Sequence, residues 1–152
     1  MLNTVEIRRF LGKHGTHFLG VLPLDQLPMR PPRRRPYCFI VNLDPSYLPG
    51  THWIAVYVGQ NRRGEVFDSF GRFPPLSLSR WMTRNCYGWT YNQRLLQGPL
   101  TTLCGVYCIY FLHMRCFVTP HRNMHTIVRE DFSNQFDVND EYMYRFWRMI
   151  QY

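Results

Sequence analysis

The sequence predicts a single α+β domain, and three observations carry that prediction. Short β-branched and aromatic segments follow one another between residues 37 and 70, an almost wholly apolar segment starts at Cys104, and both ends of the chain show helical periodicity. With 152 residues the chain suits one domain able to bury a core. Its content of 45% apolar and 16% aromatic residues excludes a disordered protein.

Residues 3–12 (NTVEIRRFLG) predict a short helix capped by Asn3 or Thr4, with Val5, Ile7, Phe10 and Leu11 on an imperfect buried face. Residues 23–36, ending PPRRRP, predict an irregular loop, because prolines remove backbone donors and clustered arginines repel one another. That loop reads equally as a solvated connection or as a contact for an anionic partner. Residues 37–43 (YCFIVNL) and 52–58 (HWIAVYV) predict strands separated by the turn DPSYLPGT. Residues 65–70 (EVFDSF) follow an NRRG turn and predict a hairpin with the preceding strand. A helix over residues 76–85, opening at Pro74 and Pro75, and a fourth strand over 86–91 come next. A loop at 97–103 leads into a buried central helix over 104–117. The last helix is expected to start at an Asn139 or Asp140 cap and to place Tyr142, Phe146 and Met149 on one face.

The formal net charge is +8, and every basic residue except Lys13 is an arginine. Arginine's planar fork suits phosphate and carboxylate. A chain this basic associates with nucleic acid at low salt whatever its role, so charge alone decides nothing. No stretch has the apolar core of a signal peptide or the length of a membrane span; the longest apolar run covers residues 106–112. The five cysteines, Cys38, Cys86, Cys104, Cys108 and Cys116, leave at least one thiol without an internal partner. Together these features predict a reducing intracellular setting and not a disulfide scaffold.

Cys104 opens the buried helix after a polar loop (QGPLTTLCG). There the free N–H groups and the helix dipole favour the thiolate, the nucleophilic form. Gly105 leaves room for a substrate backbone. His52 stands at the start of a strand, where a side chain can face a cleft. His113, nine residues past Cys104, lies more than two helical turns away and cannot reach the thiol. Asp68, at the end of the neighbouring strand, can accept the second imidazole N–H and stabilise the imidazolium. Gln97, seven residues before Cys104, can set its amide beside the Cys104 N–H as an oxyanion hole. Taken singly, Cys104 reads as a buried thiol and His52 and Asp68 as turn residues. It is their joint spacing that predicts a nucleophile with its base, acid and oxyanion donor. Trp53 either walls the cleft beside His52 or packs in the core. Cys104, Cys108, His113 and Cys116 do not fit a zinc knuckle, because the spacing is wrong and the residues between them demand burial.

The segments GTHWIAVYV, VFDSFG and LLQGPLTTLCGVYCIYFLH resemble the histidine, acid and glutamine–cysteine segments of the adenovirus endopeptidase (adenain) family of cysteine proteases. HFLGVLPLDQLP, CFIVNL and NDEYMYRFW are similar to that family's N-terminal segment, first strand and last helix. The resemblance covers nearly the whole chain, which is shorter chiefly between Asp68 and Gln97 and before the last helix. Adenoviral enzymes usually carry glutamate where Asp68 stands, while aspartate is common in the wider ubiquitin-like-protein protease clan. The reach of this shorter acid to His52 is therefore a point for the structure to decide. The resemblance implies a papain-like-clan fold, a central mixed sheet packed against the helix bearing Cys104, and N- and C-terminal helices. It implies catalysis by His52, Asp68, Gln97 and Cys104 without a metal. It further implies maturation of viral capsid and core precursor proteins, in the virion and host nucleus, by a monomer free of membranes. A short viral peptide, disulfide-linked through Cys86, and DNA are the implied activators. Competing readings are removal of a ubiquitin-like modifier, acetyl transfer by the same triad, and a basic nucleic-acid-binding protein on an inactive protease fold.

Overall fold

The computed structural model describes residues 3–12, 18–44 and 52–151. Five strands form one sheet in chain order: β1 (Phe18–Pro23), β2 (Tyr37–Asn42), β3 (Trp53–Val58), β4 (Arg63–Phe67) and β5 (Gly88–Tyr91). The β2–β3 and β3–β4 pairs are antiparallel, whereas β1 and β5 run parallel to β2 and β4, so the sheet is mixed. Cys38, Ile40, Trp53, Ala55 and Tyr57 face one core, and Tyr37, Phe39, Val41, Ile54, Val56 and Val58 face another. A sheet covered on both faces needs continuous apolar strands, which is why β2 and β3 are buried along their whole length.

The first core is closed by α1 (Thr4–Leu11), α3 (Cys104–His113), α4 (Met124–Asp131) and α5 (Phe136–Ile150). Every α3 residue from Cys104 to Leu112 is buried. The second core lies under α2 (Leu76–Asn85), which contributes Leu78, Trp81 and Met82. The chain between β1 and β2 crosses this side, where Trp81 Nε1 donates to the Pro28 carbonyl at 2.8 Å. No helix among the described residues is long and apolar enough to cross a membrane.

Several expectations need correction. Strand β1 is not legible beforehand, because Gly20 (φ +117°) and Pro23 weaken its pattern and its register with β2 is irregular between Phe18 and Val21. Part of the expected Pro/Arg loop, Leu24–Gln26, forms a turn of 3-10 helix. Val5 is 73% exposed, so α1 buries only Ile7 and Leu11 beneath its Asn3–Glu6 capping box. The third segment stops pairing at Phe67, short of residue 70. The central helix is α-helical only to His113 and then widens into a π-helical Met114–Val118. The expectations include no helix at α4, which buries only Met124, Ile127 and Val128. Helix α5 begins at Phe136, and Asn139 is no cap but an interior residue whose Oδ1 accepts the Ser133 N–H at 2.8 Å. The packed face is Asn139, Met143 and Phe146, whereas Tyr142 and Met149 are largely exposed. The DPSYLPGT turn beyond Asp44 lies outside the described residues, as do His14 and His17.

Candidate active site

The β3–β4 hairpin sets the start of one strand beside the end of the other, with Ala55 opposite Phe67. His52, just before β3, and Asp68, just after β4, therefore meet across it, with His52 Nε2 2.9 Å from Asp68 Oδ1. The shorter acid reaches. The same Oδ1 accepts the Phe70 backbone N–H at 2.8 Å. Asn92 stands in for a strand partner of Asp68: its Oδ1 accepts the Asp68 N–H at 2.7 Å and its Nδ2 donates to the Asp68 carbonyl at 2.6 Å. The turn is completed by the Gly71 N–H, which donates to the Asp68 carbonyl at 2.8 Å. Gly71 has φ +67°, and a Cβ there would lie 2.6 Å from the Arg94 carbonyl carbon and oxygen, so both backbone angle and space require glycine.

Phe70 stacks on the His52 ring with centroids 4.9 Å apart and planes 26° apart, and the Arg72 guanidinium sits 4.9 Å over the Phe70 ring. Trp53 does not wall the cleft; it is 2% exposed and belongs to the first core. Its carbonyl accepts the Cys108 thiol at 3.3 Å, which docks α3 against the start of β3. Cys104, one helical turn earlier, is thereby carried to the His52 ring. No side chain caps α3, so the first-turn N–H groups, that of Cys104 included, are not spent on a cap. Cys104 itself is 3% exposed.

Burial alone would push the His52 pKa down. The hydrogen bond to Asp68, the Cys104 sulfur beside the ring and the charges of both groups outweigh it, and the pKa is pushed up to about 9. The surroundings of the imidazole thus favour its protonated form. Its Nδ1 is shielded from solvent without a hydrogen bond of good geometry, so the thiol acts on the ring without a well-formed S–H···N bond.

Gln97 is fully buried in the loop that feeds α3. The Leu96 and Gln97 N–H groups donate to the Ser69 carbonyl at 2.8 and 3.1 Å, and the Ser69 hydroxyl donates to Gln97 Oε1 at 2.6 Å. Gln97 Nε2 donates to the Thr101 carbonyl and hydroxyl, each at 3.0 Å. From α5, Asn139 Nδ2 donates to the Leu96 carbonyl at 3.1 Å and Asp140 Oδ2 accepts the Gly98 N–H at 3.0 Å. His52, Asp68 and Cys104 therefore come together, while the Gln97 donors engage Thr101.

Cys86 is not brought to this site. It caps the C-terminus of α2 within the second core, on the other face of the sheet from Cys104, and is 8% exposed. Burial pushes its thiol up to about 11 despite the opposing charge of Arg62. Among the described residues no group of three or more His, Cys, Asp or Glu could hold a metal ion.

Ser69, Phe70, Asn92, Thr101 and Asp140 are absent from the expected site. Ser69 and Phe70 flank the acid in DSFG, a sequence that reads as turn chemistry. Asn92 and Asp140 carry no sequence signal, because only the tertiary fold brings them to Asp68 and Gly98.

The fold is α+β and of the ubiquitin-like-protein protease type. The solved cysteine protease of African swine fever virus matches it with a TM-score of 0.68 at 20% identity, over 96% of this chain and 65% of that one. ChlaDub1 from Chlamydia trachomatis matches with a TM-score of 0.52 at 19% identity, over 66% and 46%. In sequence, the chain is 29% identical to the protease of Human adenovirus D serotype 9 over 122 residues, 68% of this chain and 53% of that protein. It is 31% identical to the African swine fever virus cysteine protease over 96 residues, 50% of this chain and 32% of that protein. No protein-family model matches. The chain is a relative of the adenovirus and African swine fever virus proteases, and it spans about half the length of the adenovirus relative.

Proposed function

We propose that the protein is a viral cysteine endopeptidase with Cys104 as nucleophile, His52 as general base and acid, Asp68 as the orienting acid, and Gln97 with the Cys104 N–H as oxyanion hole. The observation that carries this reading is the His52 ring, held by Asp68 at 2.9 Å on one nitrogen and acted on by the Cys104 thiol. Cys104 gives its proton to His52, and the thiolate attacks a peptide carbonyl to form a tetrahedral oxyanion. Collapse of that intermediate expels the amine, which takes the proton from His52, and leaves a thioester on Cys104. Water, deprotonated by His52, then releases the acid and restores the thiol.

The substrates follow the adenain resemblance: precursor proteins cut at sites containing small residues such as glycine, in the maturing virion or host nucleus. DNA is the proposed polyanionic partner, and two observations support it. Residues 69–129 contain no acidic residue. Arg80 and Arg84, with Ser79 and Thr83, line an open surface recess of about 410 Å³ on α2. An activating peptide through Cys86 rests on sequence position only, and the burial of that thiol requires local opening first. Engagement of the Gln97 donors by Thr101 favours a resting state in which substrate must displace Thr101 from the oxyanion hole. Removal of a ubiquitin-like modifier, the second reading, draws on the shared fold alone.

The test is cleavage of a glycine-containing fluorogenic peptide by wild type and Cys104→Ala, with and without DNA. Turnover that disappears in Cys104→Ala supports the peptidase, and its stimulation by DNA supports the adenain branch. Equal turnover by both proteins overturns the assignment of the nucleophile.

A further inference from the structure

We propose that Ser69 is a positioning residue for the oxyanion hole, acting through Gln97; this rests on the cysteine peptidase reading. Ser69 is fully buried, and its hydroxyl donates to Gln97 Oε1 at 2.6 Å. Its carbonyl meanwhile accepts the Leu96 and Gln97 N–H groups. Both the backbone and the side chain of Gln97 are thus fixed by one residue.

The arrangement also selects one face of the amide. Turned over, Gln97 would set Oε1 against the Thr101 carbonyl, acceptor against acceptor, at the present 3.0 Å spacing. With the Ser69 hydroxyl donating to Oε1 and the Thr101 carbonyl accepting from Nε2, only the observed orientation satisfies both ends. That orientation turns the N–H donors to Thr101, within the loop that runs into Cys104, and an oxyanion bound there must draw a donor away from Thr101. Ser69 directly follows Asp68, so adjacent residues at the end of β4 hold the two arms of the site: Asp68 holds His52, and Ser69 holds Gln97. A shift of the hairpin end would move both together.

The experiment compares wild type, Ser69→Ala, Ser69→Cys, Gln97→Ala and the Ser69→Ala/Gln97→Ala double variant. A donor used only in the transition state affects kcat and not KM. Ser69→Ala is expected to lower kcat about 10–100-fold with KM little changed. Ser69→Cys, with a weak donor in the same place, recovers part of the loss. In the Gln97→Ala background, Ser69→Ala has no further effect, because it acts through the residue already removed. Two thiol probes separate positioning from general damage. Alkylation of Cys104 by iodoacetamide forms no oxyanion and keeps its wild-type rate. A peptide aldehyde adds the Cys104 sulfur to its carbonyl carbon and the proton to its oxygen, and this hemithioacetal binds more weakly in Ser69→Ala. The proposal is overturned if Ser69→Ala keeps wild-type kcat, if its effect adds fully to that of Gln97→Ala, or if alkylation slows in step with turnover. A wild type inert to peptide, aldehyde and alkylating agent alike overturns the peptidase reading, and the role of Ser69 with it.

Discussion

Asp68 Oδ1 accepts two donors, His52 Nε2 at 2.9 Å and the Phe70 N–H at 2.8 Å, and the Phe70 ring stacks on the same imidazole. The acid is therefore fixed by the backbone of the residue whose side chain shields its partner. Asn at this position keeps an acceptor oxygen but loses the negative charge that stabilises the imidazolium and fixes its tautomer. Asp68→Asn is expected to lower kcat/KM by about 10²-fold or more, towards the ~10⁴-fold known for the acid of a Ser-His-Asp triad. Steady-state kinetics on the fluorogenic peptide measures it, and activity within a factor of two of wild type would remove Asp68 from the mechanism.

The pH dependence follows from His52. Its pKa of about 9 in the folded protein exceeds the ordinary 6.5, so the imidazolium is available as general acid until pH passes about 9. Activity should fall on the alkaline side near that value. In Asp68→Asn this limb moves to lower pH, since the raising effects of Asp68 are lost while burial remains. For stability the sign is that of a raised histidine. Its contribution, on the order of a few kcal/mol, is fully present below about pH 6.5 and lost as pH rises through about 9. Urea unfolding at pH 6 and pH 10, for wild type and His52→Ala, reads this difference.

The turn behind the acid depends on Gly71. Gly71→Ala places a side chain at φ +67° against the Arg94 carbonyl. A cost of about 2 kcal/mol or more is expected, together with loss of activity, because the Gly71 N–H closes the turn on Asp68. Thermal unfolding and kcat/KM should fall together.

Behind the site, Glu65 joins three elements. Its Oε1 accepts Arg115 Nε at 2.7 Å, its Oε2 accepts the Met124 N–H at 2.9 Å, and Arg115 lies 4.1 Å over the Tyr57 ring. Glu65→Ala leaves a largely buried guanidinium and a helix-end N–H without their acceptor, at an expected cost of about 3 kcal/mol. Chemical denaturation measures this, and a change below about 0.5 kcal/mol would show the cluster to be dispensable.

Much of this was legible in the sequence because the chemistry is local to strand ends and a helix start. The β-branched segments locate the β3–β4 hairpin, and that hairpin alone is enough to bring His52 to Asp68. The apolar run after Cys104 marks α3, and no polar face remains for solvent. Strand β1 is illegible because Gly20 and Pro23 break its pattern, and its pairing with β2 and packing on both cores come only from the tertiary fold. The start of α5 is misread because Asn139, a good cap residue by type, instead satisfies Ser133 and Leu96 through tertiary contacts. Ser69 and Asn92 are ordinary polar residues until folding brings their partners to them.

The most direct measurement of the central claim needs neither substrate nor activator: the rate and position of iodoacetamide modification at neutral pH, in wild type and His52→Ala, read by peptide mass mapping. If Cys104 and His52 form an imidazolium–thiolate pair, Cys104 is modified ahead of the other buried thiols, Cys38, Cys86 and Cys108, and the rate drops at least about tenfold in His52→Ala. Modification of Cys104 at the same rate in both proteins, or no faster than at Cys38, Cys86 and Cys108, would contradict the account.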